Sequence, residues 1–368
     1  MNLTRVAILM GGKSSEHEIS LISAMNITAA LDRNRYEPVL FGISKDGRWF
    51  LQDEQAFMAQ EMNPKTVRLV SFDKPVGLVP GAQPPHFMDL KTGEMLPEPA
   101  VVFGILHGTN GEDGTMQGLL HQINLPFVGP DVAGSAVAMD KDLAKRLLNE
   151  AGIPNAPFVV YQKHERSSIS WSEVTSKLQL PLFVKPARQG SSVGVSKVKG
   201  ENDFFNAIDE AFRYDTKILI EQGVVGREIE CAVLGNAEMA GSAIGEVVPP
   251  EGGFYDYEAK YIDADGAKLY LPAPGLDDST IQRVQKMAVK ACQALACEGL
   301  TRVDFFLQPD GQLLVNELNT LPGFTKISMY PSLWRLSGIA YPDLIHQLLQ
   351  LAIARKAEQD ALSTQKEF

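Results

Sequence analysis

Residues 301–319 read TRVDFFLQPDGQLLVNELN, two alternating stretches joined by Pro309, Asp310 and Gly311. Proline pre-sets one turn dihedral and glycine accepts a left-handed one, so the segment predicts a β-hairpin. Successive strand side chains point to opposite faces. Arg302, Asp304 and Phe306 therefore share one face of the first strand, and Glu317 and Asn319 share one face of the second. A register centred on the turn sets Glu317 opposite Arg302 and diagonal to Asp304. Two carboxylates and an amide oxygen then converge, a donor set that suits Mg²⁺, which takes one or two protein carboxylates and completes its shell with water and phosphate oxygens. Alone, the same pattern equally describes an arginine pairing with acids on a solvated strand face.

The segments upstream favour the metal. Lys185 ends the apolar strand PLFVK and leads into PARQGSSVGVSKV, where Gly190, Ser191 and Ser192 can turn backbone N–H groups toward phosphate oxygens. The same stretch fits the G-x-S-x-G nucleophile elbow around Ser192, but an elbow must pass from strand into helix, and VGVSKV alternates as a second strand. It reads as a hairpin tip over a nucleotide. Glu221 follows the apolar run KILI and Glu228 comes seven residues later, after a glycine. Taken singly, both are ordinary acids. Pro249 to Gly266 is polar, aromatic-rich and aperiodic, a length of loop that is uncommon without a function.

Farther toward the N-terminus, Val6 to Met10 is a short apolar run closed by Gly11 and Gly12, and SSEHEIS then caps a helical stretch. Val39 to Ile43 and Val101 to Leu106 follow at distances suited to parallel crossovers, which predicts an open α/β sheet. Gly12, Lys13 and Ser14 resemble the end of a Walker A loop, but its first glycine would fall on Ala7. Residues 51–100, rich in Pro, Gly and Gln, read as a surface excursion with no assigned function. His107 ends a buried strand and begins HGTNGEDG, a turn able to donate several N–H groups.

The chain of 368 residues, 45% hydrophobic and 21% charged, suits two or three globular domains. A net charge of −11 opposes nucleic acid and anionic membranes, so an anionic ligand must meet locally placed cations. No apolar run reaches membrane-spanning length and the start lacks a signal-peptide pattern, which makes the cytoplasm the expected compartment. Cys231, Cys292 and Cys297 form neither an even disulfide set nor a metal knuckle, and read as reduced, buried thiols.

Eight collinear segments, GGKSSEHEIS, LHGTNGEDG, MDK, FVKPARQGSSVGVSKV, IEQGVVGREIE, YDYEAKY, RVDFF and NELNTLPGFTKISMYP, resemble the D-alanine:D-alanine ligases of the ATP-grasp superfamily. The resemblance runs from residue 5 to about 355. It implies a three-domain ATP-grasp fold of α/β and α+β parts: an N-terminal α/β substrate domain over 1–138, a middle lid domain over 139–227, and a catalytic domain over 228–368 with the loop 249–266. It also implies ATP, two Mg²⁺ ions (Mn²⁺ as an alternative), two D-alanine molecules and a homodimer. By position, Lys141, Lys185, Glu221, Glu228 and Lys260 resemble nucleotide contacts, and Asp304, Glu317 and Asn319 resemble metal ligands. Glu16 resembles the residue holding the first D-alanine's ammonium, and Ser191 with Tyr261 the pair that closes the long loop over it. Arg302 and the Gly323 N–H resemble oxyanion donors, Ser328 with Met329 the site of the second carboxylate, and His107 a first-substrate neighbour.

The reaction so implied is phosphorylation of one D-alanine carboxylate and displacement of phosphate by the amine of the second. Three other readings stand beside it. A depsipeptide-forming relative typically has Phe where this chain has Tyr261; a carboxylase subunit would bring a biotin-directed segment; a non-catalytic ATP-binding regulator would have a broken ligand set.

Overall fold

Strand β1 (Thr4–Gly11) is apolar from Val6 to Met10 because neighbours cover both its faces there. In the computed structural model, which describes residues 3–81, 83–249 and 268–363, β1 pairs in parallel with β2 (Tyr36–Ile43). Strands β3 (Trp49–Leu51), β4 (Pro75–Leu78) and β5 (Phe87–Asp89) extend that edge antiparallel, and β6 (Val101–Gly104) pairs in parallel on the other side of β1. The resulting order is β5-β4-β3-β2-β1-β6. Residues 51–100 are thus part of the sheet rather than an excursion from it. Their strands are only three or four residues long, too short to show a period, yet Phe57, Val67, Leu69 and Phe87 are buried.

The middle sheet holds β7 (Phe158–Gln162), β8 (Leu182–Pro186), β9 (Ser196–Val198) and β10 (Lys217–Gln222) in the order β7-β10-β8-β9. Helices Trp171–Lys177 and Glu201–Tyr214 close it, with Val174, Phe204 and Ile208 fully buried against Val184 and Ile220. Antiparallel β8 and β9 make the loop 187–195 a hairpin tip, which disposes of the nucleophile elbow.

The C-terminal sheet runs β13-β12-β11-β14-β15, with β11 Arg227–Gly235, β12 Ala240–Val248, β13 Lys268–Tyr270, β14 Gly299–Leu307 and β15 Leu313–Asn319. Helix Asp278–Ala294 covers one face through Val284, Ala288 and Cys292. Ala144 and Leu148 of helix Lys141–Glu150 join that same core, while the backbone N–H of Lys141 donates to Ala187 of the middle segment. On the other face, helix Met329–Leu336 and helix Tyr341–Asp360 share a core with the N-terminal sheet, and Phe324 meets Phe103 edge to face at 5.5 Å. All three cysteines are free and buried, and burial pushes the Cys231 and Cys297 thiols up to about 12.

The β14–β15 hairpin forms with a different register from the one its turn suggests. An irregularity between Asp304 and Phe305 slides the pairing so that Asp304 faces Glu317 and Arg302 faces Asn319. Such a shift depends on how one strand bends against β11, and leaves no mark in a short alternating pattern.

Candidate active site

A cavity of about 430 Å³ opens where the three sheets meet. Glu16, His107 and Glu112 reach it from the N-terminal sheet, and Lys141 and Ser191 from the middle segment. Arg302, Glu317 and Asn319 reach it from the hairpin, and Gly323, Ser328 and Met329 from the chain that follows. Most of the residues singled out in the sequence therefore converge. Lys260 and Tyr261 lie outside the described residues, as does most of the loop 249–266.

On the middle side, Glu221 is buried on β10 between two cations, with Lys185 Nζ 2.7 Å from one oxygen and Lys145 Nζ 2.7 Å from the other. Burial opposes charge on Glu221, but the two ammonium groups outweigh it and hold the carboxyl down at about 2. Burial conversely pulls the Lys145 ammonium below its ordinary value, against the pull of Glu221. Lys145 lies also over the ring of Phe158, 5.4 Å from its centroid. Lys141 Nζ donates to the Gln189 carbonyl at 2.8 Å and stands 3.8 Å from Glu317, so it links the hairpin tip to the acid on β15. Glu228 lies on β11 opposite Phe306, outside the cavity wall.

On the hairpin, Arg302 grips Asp304 with two parallel N–H···O bonds of 2.7 and 2.8 Å and meets Glu230 at 2.9 Å. Asn319 Nδ2 donates to Asp304 at 3.0 Å, which turns its amide oxygen away from that carboxylate. Among the described residues no group of three His, Cys, Asp or Glu could hold a metal. Asp304 and Glu317 are facing residues of the strand pair, and two such carboxylates fit an ion that draws the rest of its shell from phosphate and water.

On the N-terminal side, Glu16 is buried at the start of helix His17–Ala30. A Cβ on Gly190 would lie 3.8 Å from its Oε2, so the loop carrying Ser191 comes down onto Glu16. Ser191 and Ser192 hold that loop with φ of 49° and 59°, left-handed values that few non-glycine residues adopt. Burial pushes the His107 imidazole below its ordinary value, opposed by the charge of Glu16. Ser328 starts the helix Met329–Leu336 and its Oγ accepts the Thr325 N–H at 3.0 Å. A Cβ on Gly323 would come within 3.0 Å of that hydroxyl, so a side chain there would press on the site. Met329 packs in the core against Gly245, where a Cβ would approach its sulfur to 2.5 Å.

Sequence reasoning missed Lys145, Glu230 and Glu112. Lys145 shares a helix with Lys141, and only the packing of that helix against β10 brings it to the acid that Lys185 of β8 also meets. Glu230 was legible as the residue alternate to Glu228 on a strand beside β14. Glu112 lies inside the quoted turn GEDG, without a spacing that marks it out.

Comparison with known proteins covers the N-terminal sheet with one family model and the middle and C-terminal sheets with another. The family model "D-ala D-ala ligase N-terminus" matches residues 5–130, and "D-ala D-ala ligase C-terminus" matches residues 147–350. The chain belongs to the D-alanine–D-alanine ligase family. D-alanine–D-alanine ligase A of Escherichia coli (strain K12) is 50% identical over 367 residues, which is 99% of this chain and 100% of that one. The D-alanine–D-alanine ligase of Oceanobacillus iheyensis is 48% identical, with 98% of each chain covered. Among solved structures, the D-alanine–D-alanine ligase of Coxiella burnetii matches with a TM-score of 0.85 at 37% identity, over 98% of this chain and 97% of that one. The VanG D-Ala:D-Ser ligase of Enterococcus faecalis matches at 0.84 and 33%, over 95% and 100%. The three sheets are those of the family's ATP-grasp fold.

Proposed function

We propose that this protein joins two D-alanine molecules to D-alanyl-D-alanine for peptidoglycan precursor synthesis, with ATP converted to ADP and phosphate. The observation that carries the proposal is that a buried acid, Glu16, a cationic group, Arg302, and the Gly323 backbone line one cavity in a chain of this family. ATP lies between the middle and C-terminal sheets, with Lys141, Lys185, Glu221, Glu228 and Lys260 as its contacts. Lys145 belongs with them, because it shares Glu221 with Lys185. Asp304, Glu317 and Asn319 would hold two Mg²⁺ ions, or Mn²⁺ in their place, which when bound would neutralise phosphate charge.

Glu16 takes the ammonium of the first D-alanine and so presents its carboxylate for phosphorylation. Arg302 and the Gly323 N–H stabilise the tetrahedral oxyanion, a contribution of about 3 kcal/mol for a single such donor. Ser328 with Met329 receives the second D-alanine's carboxylate, and His107 adjoins the first substrate. A D-alanyl phosphate hydrolyses readily, so the site must exclude water. Ser191, Tyr261 and Glu16 form the closure that does so, joining the loop 187–195 to the loop 249–266. The chain divides into units 1–138, 139–227 and 228–368, the first joint falling at Ala138 and Met139 of the cavity wall, and the working unit is a homodimer in the cytoplasm. Among the described residues no helix is long and apolar enough to cross a membrane.

The test is phosphate release from ATP with D-alanine alone, L-alanine alone, and D-alanine mixed with D-lactate or D-serine, with the products separated. Release that depends on D-alanine and yields D-alanyl-D-alanine supports the reading. A mixed product formed in preference to the homodipeptide overturns the substrate assignment.

A further inference from the structure

The loop 106–114 doubles back on itself. Gly108, Asn110 and Gly114 take φ of 79°, 68° and 89°, and a Cβ on Gly111 would lie 1.9 Å from the Leu106 carbonyl oxygen. This fold-back carries Glu112 into the junction between the N-terminal and C-terminal sheets. Its Oε2 accepts the Gly108 N–H at 2.6 Å, and its Oε1 accepts the N–H of Leu321, 209 residues away, at 3.1 Å. His107 Nδ1 meets the Leu321 carbonyl at 3.0 Å. A carbonyl only accepts, so Nδ1 carries the proton, and Nε2 of a neutral ring then accepts from Ser23 Oγ, 3.3 Å away. Ser23 Oγ in turn accepts the Phe324 N–H at 3.4 Å. Leu321 and Phe324 are thus both held from the helix and loop that flank the N-terminal sheet, and Gly323 lies between them.

The other end of the Glu112 tie is next to the first-substrate acid, since a Cβ on Gly108 would lie 3.2 Å from Glu16 Oε2. We propose that Glu112 is a positioning residue for ligation: its carboxyl group ties the backbone beside Glu16 to the backbone beside Gly323 and so fixes the distance between ammonium site and oxyanion site. This inference rests on the function proposed above. A donor group must be held within about 0.5 Å of its productive place, and a misplacement of about 1 Å costs on the order of a hundredfold in rate. Glutamine at 112 keeps the size but offers one acceptor and turns an NH₂ toward a backbone N–H. Aspartate, one methylene shorter, reaches only one of the two donors.

Glu112→Gln, Glu112→Asp and the milder Ser23→Ala would be compared with wild type in kcat for D-alanyl-D-alanine, KM for ATP, and amide hydrogen exchange. The expected result for Glu112→Gln is a kcat lower by about a hundredfold, KM for ATP within about twofold of wild type, and exchange of residues 319–325 faster by about tenfold with the middle sheet unchanged. Glu112→Asp and Ser23→Ala should shift kcat and the 319–325 amides in the same direction by less. Wild-type kcat in the folded Glu112→Gln protein overturns the proposal. So does wild-type kcat in both milder variants if the glutamine variant does not fold. Faster exchange spread evenly over all three sheets also overturns it, because that outcome describes a general stabilising contact. A wild-type protein that makes no D-alanyl-D-alanine would sink the functional reading, while the exchange comparison would still test the tie.

Discussion

Glu112, half-buried in the cavity wall, and Glu221, buried on β10, are carboxyls at the edges of one site, yet their surroundings drive them to opposite protonation states. At Glu221, burial works against charge, and Lys185 and Lys145 overcome it to bring the carboxyl to about 2. At Glu112, burial and the nearby charge of Glu16 together push the carboxyl up to about 8, opposed only by the N–H groups of Gly108 and Leu321. Backbone dipoles do not substitute for whole counter-charges in a buried place. The pairing suits two tasks. A charged Glu221 holds two lysines in place and cancels part of their charge, whereas Glu112 joins peptide groups and needs no charge to do so.

A third carboxylate, half-buried Glu317 beside Lys141, tests whether role follows charge rather than burial. Glu317→Gln, equal in volume, should cut turnover by more than about a hundredfold with the fold intact, because a ligand charge of the metal set is lost. Circular dichroism and a steady-state assay check this, and near-normal turnover would move Glu317 out of that set. Glu221→Gln should act on stability instead. It leaves Lys145 and Lys185 short of a counter-charge and should cost about 3–5 kcal/mol in urea unfolding, against roughly 1–3 kcal/mol for Glu112→Gln. Equal losses would erase the distinction between the two sites.

The two carboxyls should also give opposite pH slopes. The Glu221 carboxyl drops on folding from 4.5 to about 2, so its stabilisation is complete above pH 4.5 and disappears as pH falls toward 2. The Glu112 carboxyl rises on folding from 4.5 to about 8, so the folded protein binds the extra proton, and its contribution is complete below pH 4.5 and lost as pH rises to about 8. Urea midpoints of wild type minus each glutamine variant, taken across that range, should diverge in these directions. Parallel lines would mean that the two sites share one electrostatic character.

The smallest effect concerns Lys185, the more exposed of the two cations on Glu221. Lys185→Ala leaves Lys145 to balance the acid, so stability should change by less than about 1–2 kcal/mol while KM for ATP rises and kcat falls together. Unchanged ATP dependence with a large stability loss would make Lys185 a structural partner only.

Strands such as β1 and β10 were legible because an unbroken apolar run bounded by glycine or charge has few other uses, and the hairpin at 301–319 because proline and glycine mark its turn. Strands β3 to β5 were not, since three or four residues carry no period. Resemblance supplied the candidate set from Glu16 to Met329 by position, and most of it lines one cavity.

What the sequence determined by itself is the local chemistry: which strands are buried, where the chain turns, and which residue types could bind phosphate, metal and ammonium. Long-range register was decided only in the folded protein, where the slip at Asp304 placed it against Glu317. So were the partners of the two acids. Nothing in the spacing of Glu112 or Glu221 tells which will meet two ammonium groups and which two peptide N–H groups, because those neighbours come from residues up to 209 positions away. Charge state in an interior is set by such neighbours, and only tertiary packing supplies them.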